Sequence, residues 1–247
     1  MSSLQYRPDI DCLRAFAVIS VIGYHYEVPP FRSGFIGVDV FFVISGFLIT
    51  TIIWNEYRAG NFSFAAFYRR RARRILPAAF AMLCAVLVCA SLLLLPQESI
   101  GVAQQALAVL GFVSNFLFWS QQNYFDGAAI TKPLLHTWSL GVEEQYYLLF
   151  PMAAFAAFSL RRSWMLLSLV GLGLASLALC ILQTRTEPAS AFYLLPARAW
   201  QLLLGALLAV EAVPQPKRQW PRIVGCVIGW LLLGISVNAF TTQTPYP

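Results

Sequence analysis

The 247-residue chain is 59% hydrophobic and 11% charged, where an ordinary soluble domain is about one-quarter charged. That balance excludes a globular domain surrounded only by water and makes the lipid bilayer the expected solvent. The net charge of +6 is mostly clustered arginine, which in a membrane protein reports orientation rather than a nucleic-acid partner.

Apolar runs fall at about 12 to 28, 35 to 54, 75 to 95, 102 to 119, 134 to 158, 164 to 182, 192 to 213 and 223 to 240. Each is close to the roughly 20 residues a helix needs to cross the hydrocarbon. The expected fold is therefore all-α, a polytopic transmembrane bundle of about eight spans forming one domain over 1–247. Short connections carry turn chemistry, as at Pro29-Pro30, Asn61, Pro96 and Glu187-Pro188. The five cysteines sit in or beside apolar runs as small hydrophobes, so no disulfide framework and no metal site is expected.

The first run lacks a small-residue cleavage pattern and reads as a retained span. It carries Arg14 and, eleven residues later, His25. At about 100° per residue the two return to within about 20° of one direction, separated by about 16 Å along the axis. A guanidinium suits a phosphate or carboxylate, and an imidazole suits proton movement near neutral pH. The same pair reads equally well as an interfacial anchor and a histidine capping the far end.

In the second run, GFIGVDVFFVISGFLIT, Asp39 is the only charge, and it either pairs with an arginine of another helix or lies at the aqueous end. Gly34, Gly37 and Gly46 permit close helix approach. Before the third run, FYRRRARRILP places Arg71 and Arg74 on one helix face. Two guanidiniums there match a polyphosphate, and a topology signal or lipid contact explains them equally. The positive-inside rule puts this cluster, and with it the amino terminus, in the cytoplasm. Strict alternation then leaves Arg161-Arg162 and Lys217, Arg218 and Arg222 outside. The rule disfavours that, so either it fails at these weaker sites or one run, with 102 to 119 the candidate, is re-entrant.

The fifth run, within LLHTWSLGVEEQYYLLFP, has the densest polarity. His136 and Glu143, seven apart, would share a helix face about 10 Å apart, with Glu144 and Gln145 beside them. Carboxylates at the hydrocarbon edge need partners. Arg198, in RAWQLLLGALLA with Gln201 one turn on, is the expected partner for one of them.

Together these strings, with YRPDIDCLRAFAVISVIGYH at the start, resemble the acyltransferase-3 family of bacterial membrane acyltransferases, which includes the O-antigen acetyltransferases. The resemblance implies transfer of an acyl group, commonly acetyl from acetyl-coenzyme A, to a hydroxyl of a cell-surface or periplasmic glycan such as lipopolysaccharide. It implies a multi-pass protein of the bacterial inner membrane whose acyl-CoA is a substrate and which holds no tightly bound cofactor. Arg14 and His25 fall on the family's active-site signature, and Arg71 and Arg74 on its donor side. His136, Glu143, Glu144, Asp39 and Arg198 are then expected to bind substrate or support the site. Cys12 replaces a usual glycine and Gln201 a usual glutamate. Family members have about ten spans, many followed by a periplasmic SGNH-hydrolase-like domain, so a chain shortened at its carboxyl end is expected. His25 serves either as general base or as acyl carrier. The rival reading is a transporter or flippase, which would tend to show inverted repeats or matched broken helices.

Overall fold

The computed structural model describes residues 7–122, 132–212 and 218–240, with Thr244 and Tyr246. Among them the regular secondary structure is all helical, with helices α1 (Pro8–His25), α2 (Gly37–Arg58), α3 (Phe64–Leu93), α4 (Pro96–Leu110), α5 (Ser114–Ser120), α6 (Trp138–Phe158), α7 (Arg162–Thr186), α8 (Pro188–Tyr193), α9 (Leu195–Ala209) and α10 (Gln219–Ala239). None of the five cysteines forms a disulfide.

Five helical segments among the described residues are long and apolar enough to cross a membrane: Gly34–Arg58, Phe64–Leu93, Arg162–Thr186, Pro188–Ala209 and Gln219–Ala239. Eight spanning runs are thus not reproduced, and the three that fall short have physical reasons. Helix α1 carries Asp9, Asp11 and Arg14; α6 carries Glu143, Glu144 and Gln145. The run at 102 to 119 is two helices, broken where Phe112 takes φ 54°, a left-handed backbone that a bulky residue adopts only under constraint. The break is held from α6: the Gln145 amide donates to the Phe112 carbonyl at 3.0 Å and to Asn115 Oδ1 at 2.7 Å, while Asn115 Nδ2 donates to the Tyr193 carbonyl at 3.1 Å. That polar clamp joins α5, α6 and α8.

Helix α3 begins with Ser63 capping the Ala66 amide. Its 30 residues reach about 45 Å at 1.5 Å per residue, against a hydrocarbon core of about 30 Å. The arginine-rich first turns, ahead of Pro77, therefore fall outside the membrane when the apolar remainder spans it.

Helix α2 lies at the centre, packed against α9, α1 and α6. Phe42, Ile49 and Ile53 are buried against Leu202, Leu203, Ala206, Tyr146 and Phe150. Lipid offers no hydrophobic drive for one helix to seek another, so close backbone approach through small residues does that work. A Cβ at Gly46 would land on the Leu202 carbonyl, and one at Gly205 on the Val43 carbonyl, a reciprocal contact of α2 and α9. Gly34 and Gly37 meet the backbone of α1 at Ser20 and Ala17 in the same way, as expected from the sequence. The outward sides of α7 and α10 stay apolar and exposed, for example Leu172, Leu174, Ile228, Leu231 and Leu232, surfaces suited to lipid contact.

Candidate functional site

Helices α1, α2 and α6 supply residues to two cavities set at opposite ends of the first helix. At the carboxyl end of α1, Tyr24 and His25 face a chamber of about 940 Å³ whose other walls include Val38, His136, Trp138, Phe192, Tyr193 and Tyr246. At the amino end, Arg14 faces a smaller cavity of about 230 Å³ with Ser45, Arg71, Arg74, Glu143, Glu144 and Tyr147. Arg14 and His25 thus do not converge on one point; they serve the two ends of one set of helices, about 16 Å apart by helical rise.

The arginine end holds three guanidiniums and two carboxylates. Tyr147 donates its hydroxyl to Glu143 at 2.9 Å, and the Arg71 guanidinium lies 5.0 Å from the centre of the Tyr147 ring and 5.9 Å from that of the Phe67 ring, within the range of cation–π attraction. Arg14 lies 3.7 Å from an Asp11 carboxylate oxygen. Glu144 Oε1 is buried without a hydrogen-bond partner among the described residues. An anion with several oxygens is what three guanidiniums gathered in one cavity suit best.

At the other end the two imidazoles share one chamber. His136 reaches it because it lies in a 3-10 turn, Leu135–Thr137, ahead of α6, which starts only at Trp138. The expected common face of His136 and Glu143 is therefore not formed. The seven-residue spacing crosses a change of helical type, and His136 joins His25 while Glu143 joins Arg14 and Arg71.

Asp39 and Arg198 line neither cavity. They form a buried ion pair, which settles Asp39 on an arginine of another helix and corrects the expectation that Arg198 partners a carboxylate of the fifth run: Arg198, fully buried, donates from Nη1 to Asp39 Oδ1 at 2.9 Å and from Nε to the Phe192 carbonyl at 3.0 Å. Gln201 Nε2 and the Tyr246 hydroxyl each donate to the same Asp39 oxygen at 2.8 Å. The guanidinium is enclosed by the rings of Trp138, Phe192 and Tyr246 at 5.3, 5.0 and 5.1 Å. Since those three rings also wall the His25 chamber, the pair supports the chamber from behind instead of contacting its contents. Sequence reasoning missed this aromatic wall, and also Ser45 and Tyr147 at the arginine end. Aromatics within apolar runs carry no mark that separates a cavity wall from a lipid contact.

A family model described as an acyltransferase domain matches residues 7–244. The chain is 39% identical over 218 residues to the O-acetyltransferase OatA of Staphylococcus aureus (strain NCTC 8325), covering 85% of this chain and 35% of that protein. It is 38% identical over 255 residues to the peptidoglycan O-acetyltransferase OatA of Listeria monocytogenes, covering 98% of this chain and 40% of the relative. With the putative peptidoglycan O-acetyltransferase YrhL of Bacillus subtilis it shares 36% over 216 residues, 83% of this chain and 33% of the other. The match thus spans between a third and two-fifths of these relatives' length. Two of the three are named for peptidoglycan and none for the O-antigen or lipopolysaccharide anticipated from the sequence. No solved structure matches the chain.

Proposed function

The chain belongs to the acyltransferase-3 family, and from that premise we propose that it moves an acyl group, acetyl foremost, from a cytoplasmic acyl-coenzyme A to a hydroxyl of an extracytoplasmic, peptidoglycan-type glycan. The reading of the acceptor follows the names of its relatives. The observation that carries the reading is the division of labour along α1: a cluster of guanidiniums at one end, a pair of histidines in a large aromatic chamber at the other.

The donor's phosphates sit at the arginine end, where Arg71 and Arg74 on α3 and Arg14 on α1 offer forked donors to their oxygens. That end faces the cytoplasm of the bacterial inner membrane, with the amino terminus on the same side. The pantetheine arm carries the thioester along α1 toward the chamber, which the acceptor enters from the opposite side. His25 takes the proton of the acceptor hydroxyl as its oxygen attacks the thioester carbonyl, and the departing thiolate is protonated in turn. His136, on the facing wall, orients the acceptor or the His25 ring. The buried Asp39–Arg198 pair keeps Trp138, Phe192 and Tyr246 in place, so that water has less room beside the reacting carbonyl.

The test is an acetyl-transfer assay on the full-length protein in nanodiscs, with labelled acetyl-coenzyme A and a soluble glycan acceptor. His25→Ala is expected to lower turnover by about 10²- to 10⁴-fold, the usual worth of a positioned general base. It should leave donor binding, measured by competition with free coenzyme A, close to that of the unaltered protein. Turnover near the unaltered rate would overturn the assignment of His25.

A further inference from the structure

Beside the arginine cavity lies a further space, of about 330 Å³, that shares Arg71, Glu144 and Tyr147 with it. Most of its other walls are apolar: Ile75 and Leu76 on α3, Val113 and Phe116 across the break between α4 and α5, and Leu148 on α6. Two of its polar side chains are engaged, Tyr68 through its hydroxyl to the Leu148 carbonyl at 2.8 Å and Gln145 through its amide to Phe112 and Asn115. Glu144 is not. Its Oε1 is buried with no hydrogen-bond partner, and no ion pair joins it to Arg71 among the described residues. A carboxylate oxygen withdrawn from water without a partner is costly, and a ligand carrying an N–H cation removes that cost.

The fold holds this space open. The Tyr68 bond ties α3 across α6 at its edge, and Gln145 fixes the helix break whose residues Gly111, Phe112 and Val113 form part of the wall. Phe112 sits there at φ 54°, and strained backbone of this kind persists where its surroundings over-determine it and gathers at ligand sites. The mouth opens to the side of the bundle. Val113, Phe116 and Leu148 are 44%, 45% and 58% exposed, as is Phe80 at 50%, one turn along α3 from Leu76. Arg71 belongs to the first turns of α3, which lie outside the hydrocarbon. The cavity therefore sits at headgroup level on the arginine side, polar at its inner wall and apolar where it meets the membrane.

We propose that this side cavity holds the headgroup of a phospholipid bearing a primary amine. Its ammonium donates to Glu144 Oε1, its phosphate faces Arg71, and its chains leave over Val113 and Phe116. A primary ammonium has N–H donors for the buried oxygen, as lysine has, and a quaternary one has none. An anionic lipid would satisfy Arg71 and set its charge against Glu144. The lipid lies beside the donor phosphates without replacing them, so the proposal stands or falls apart from the acyl-transfer reading.

The test is native mass spectrometry of the full-length protein, stripped of lipid in detergent and titrated with phosphatidylethanolamine, phosphatidylcholine or phosphatidylglycerol. Phosphatidylethanolamine is expected to bind about tenfold or more tightly than either of the others, the gain of one charge-assisted hydrogen bond. In Glu144→Ala that preference falls toward one. Ala72→Trp, at an exposed position on the cavity wall, fills the space and also abolishes the preference, which gives a second reading should Glu144→Ala fail to accumulate. Equal binding of the three lipids by the unaltered protein, or a preference that survives in the variants, would overturn the proposal. Displacement of the bound lipid by free phosphoethanolamine at the same concentration would overturn it too, since the occupant would then be a soluble zwitterion and not a membrane lipid.

Discussion

A cation with no access to solvent is among the costliest side chains to bury. Arg198 is fully buried, and the carboxylate of Asp39, reinforced by Gln201 and Tyr246, makes that position tolerable. Removing one member of a buried pair strands the other charge, at about 3 to 5 kcal/mol. Arg198→Ala is therefore expected to lower the unfolding midpoint sharply in thermal denaturation of the nanodisc-held protein, while Arg198→Met combined with Asp39→Asn recovers much of the loss. A double variant no more stable than Arg198→Ala would argue against the pair as the source. At this scale the sequence was informative where charge interrupts an apolar run, since a buried ion announces its need for a partner. It was silent on Trp138, Phe192, Tyr193 and Tyr246, whose chemistry is the same whether they face lipid or line a chamber.

Among the elements, the contact of α2 with α9 is the one that tolerates least change. A Cβ at Gly46 meets the backbone carbonyl of Leu202, and a backbone atom cannot rotate aside as a side chain can. Gly46→Ala should destabilise by about 1 to 3 kcal/mol, the range for overpacking a filled interior, seen as a lower thermal midpoint. Gly171→Ala, where a Cβ meets open space, should change it little. Equal effects would remove the close approach from the account. Helix existence was legible from the apolar runs, and the close-packing glycines from their place within them. The breaks were not. The division of the run at 102 to 119 depends on Gln145 of another helix bonding the Phe112 carbonyl, a tertiary contact that local sequence does not encode. The same holds for the 3-10 turn at Leu135–Thr137, which sent His136 and Glu143 to different cavities.

For the whole molecule, three of the polar residues that set α1 and α6 apart from simple membrane spans, Arg14, Glu143 and Glu144, line the cavity at the arginine end. A bundle of purely apolar helices would be easier to insert, and ionisable groups kept inside it mark a pathway or a site. Here they are sorted by type, guanidiniums with carboxylates at one end and imidazoles with aromatics at the other, which gives the proposed reaction a direction across the membrane. Sealed vesicles holding the full-length protein in one orientation test that direction, with labelled acetyl-coenzyme A supplied on the arginine side and glycan acceptor on the histidine side. The account predicts labelled acceptor only in this arrangement, with the label lost in His25→Ala. Labelling at an equal rate when the donor is supplied on the acceptor's own side would contradict it.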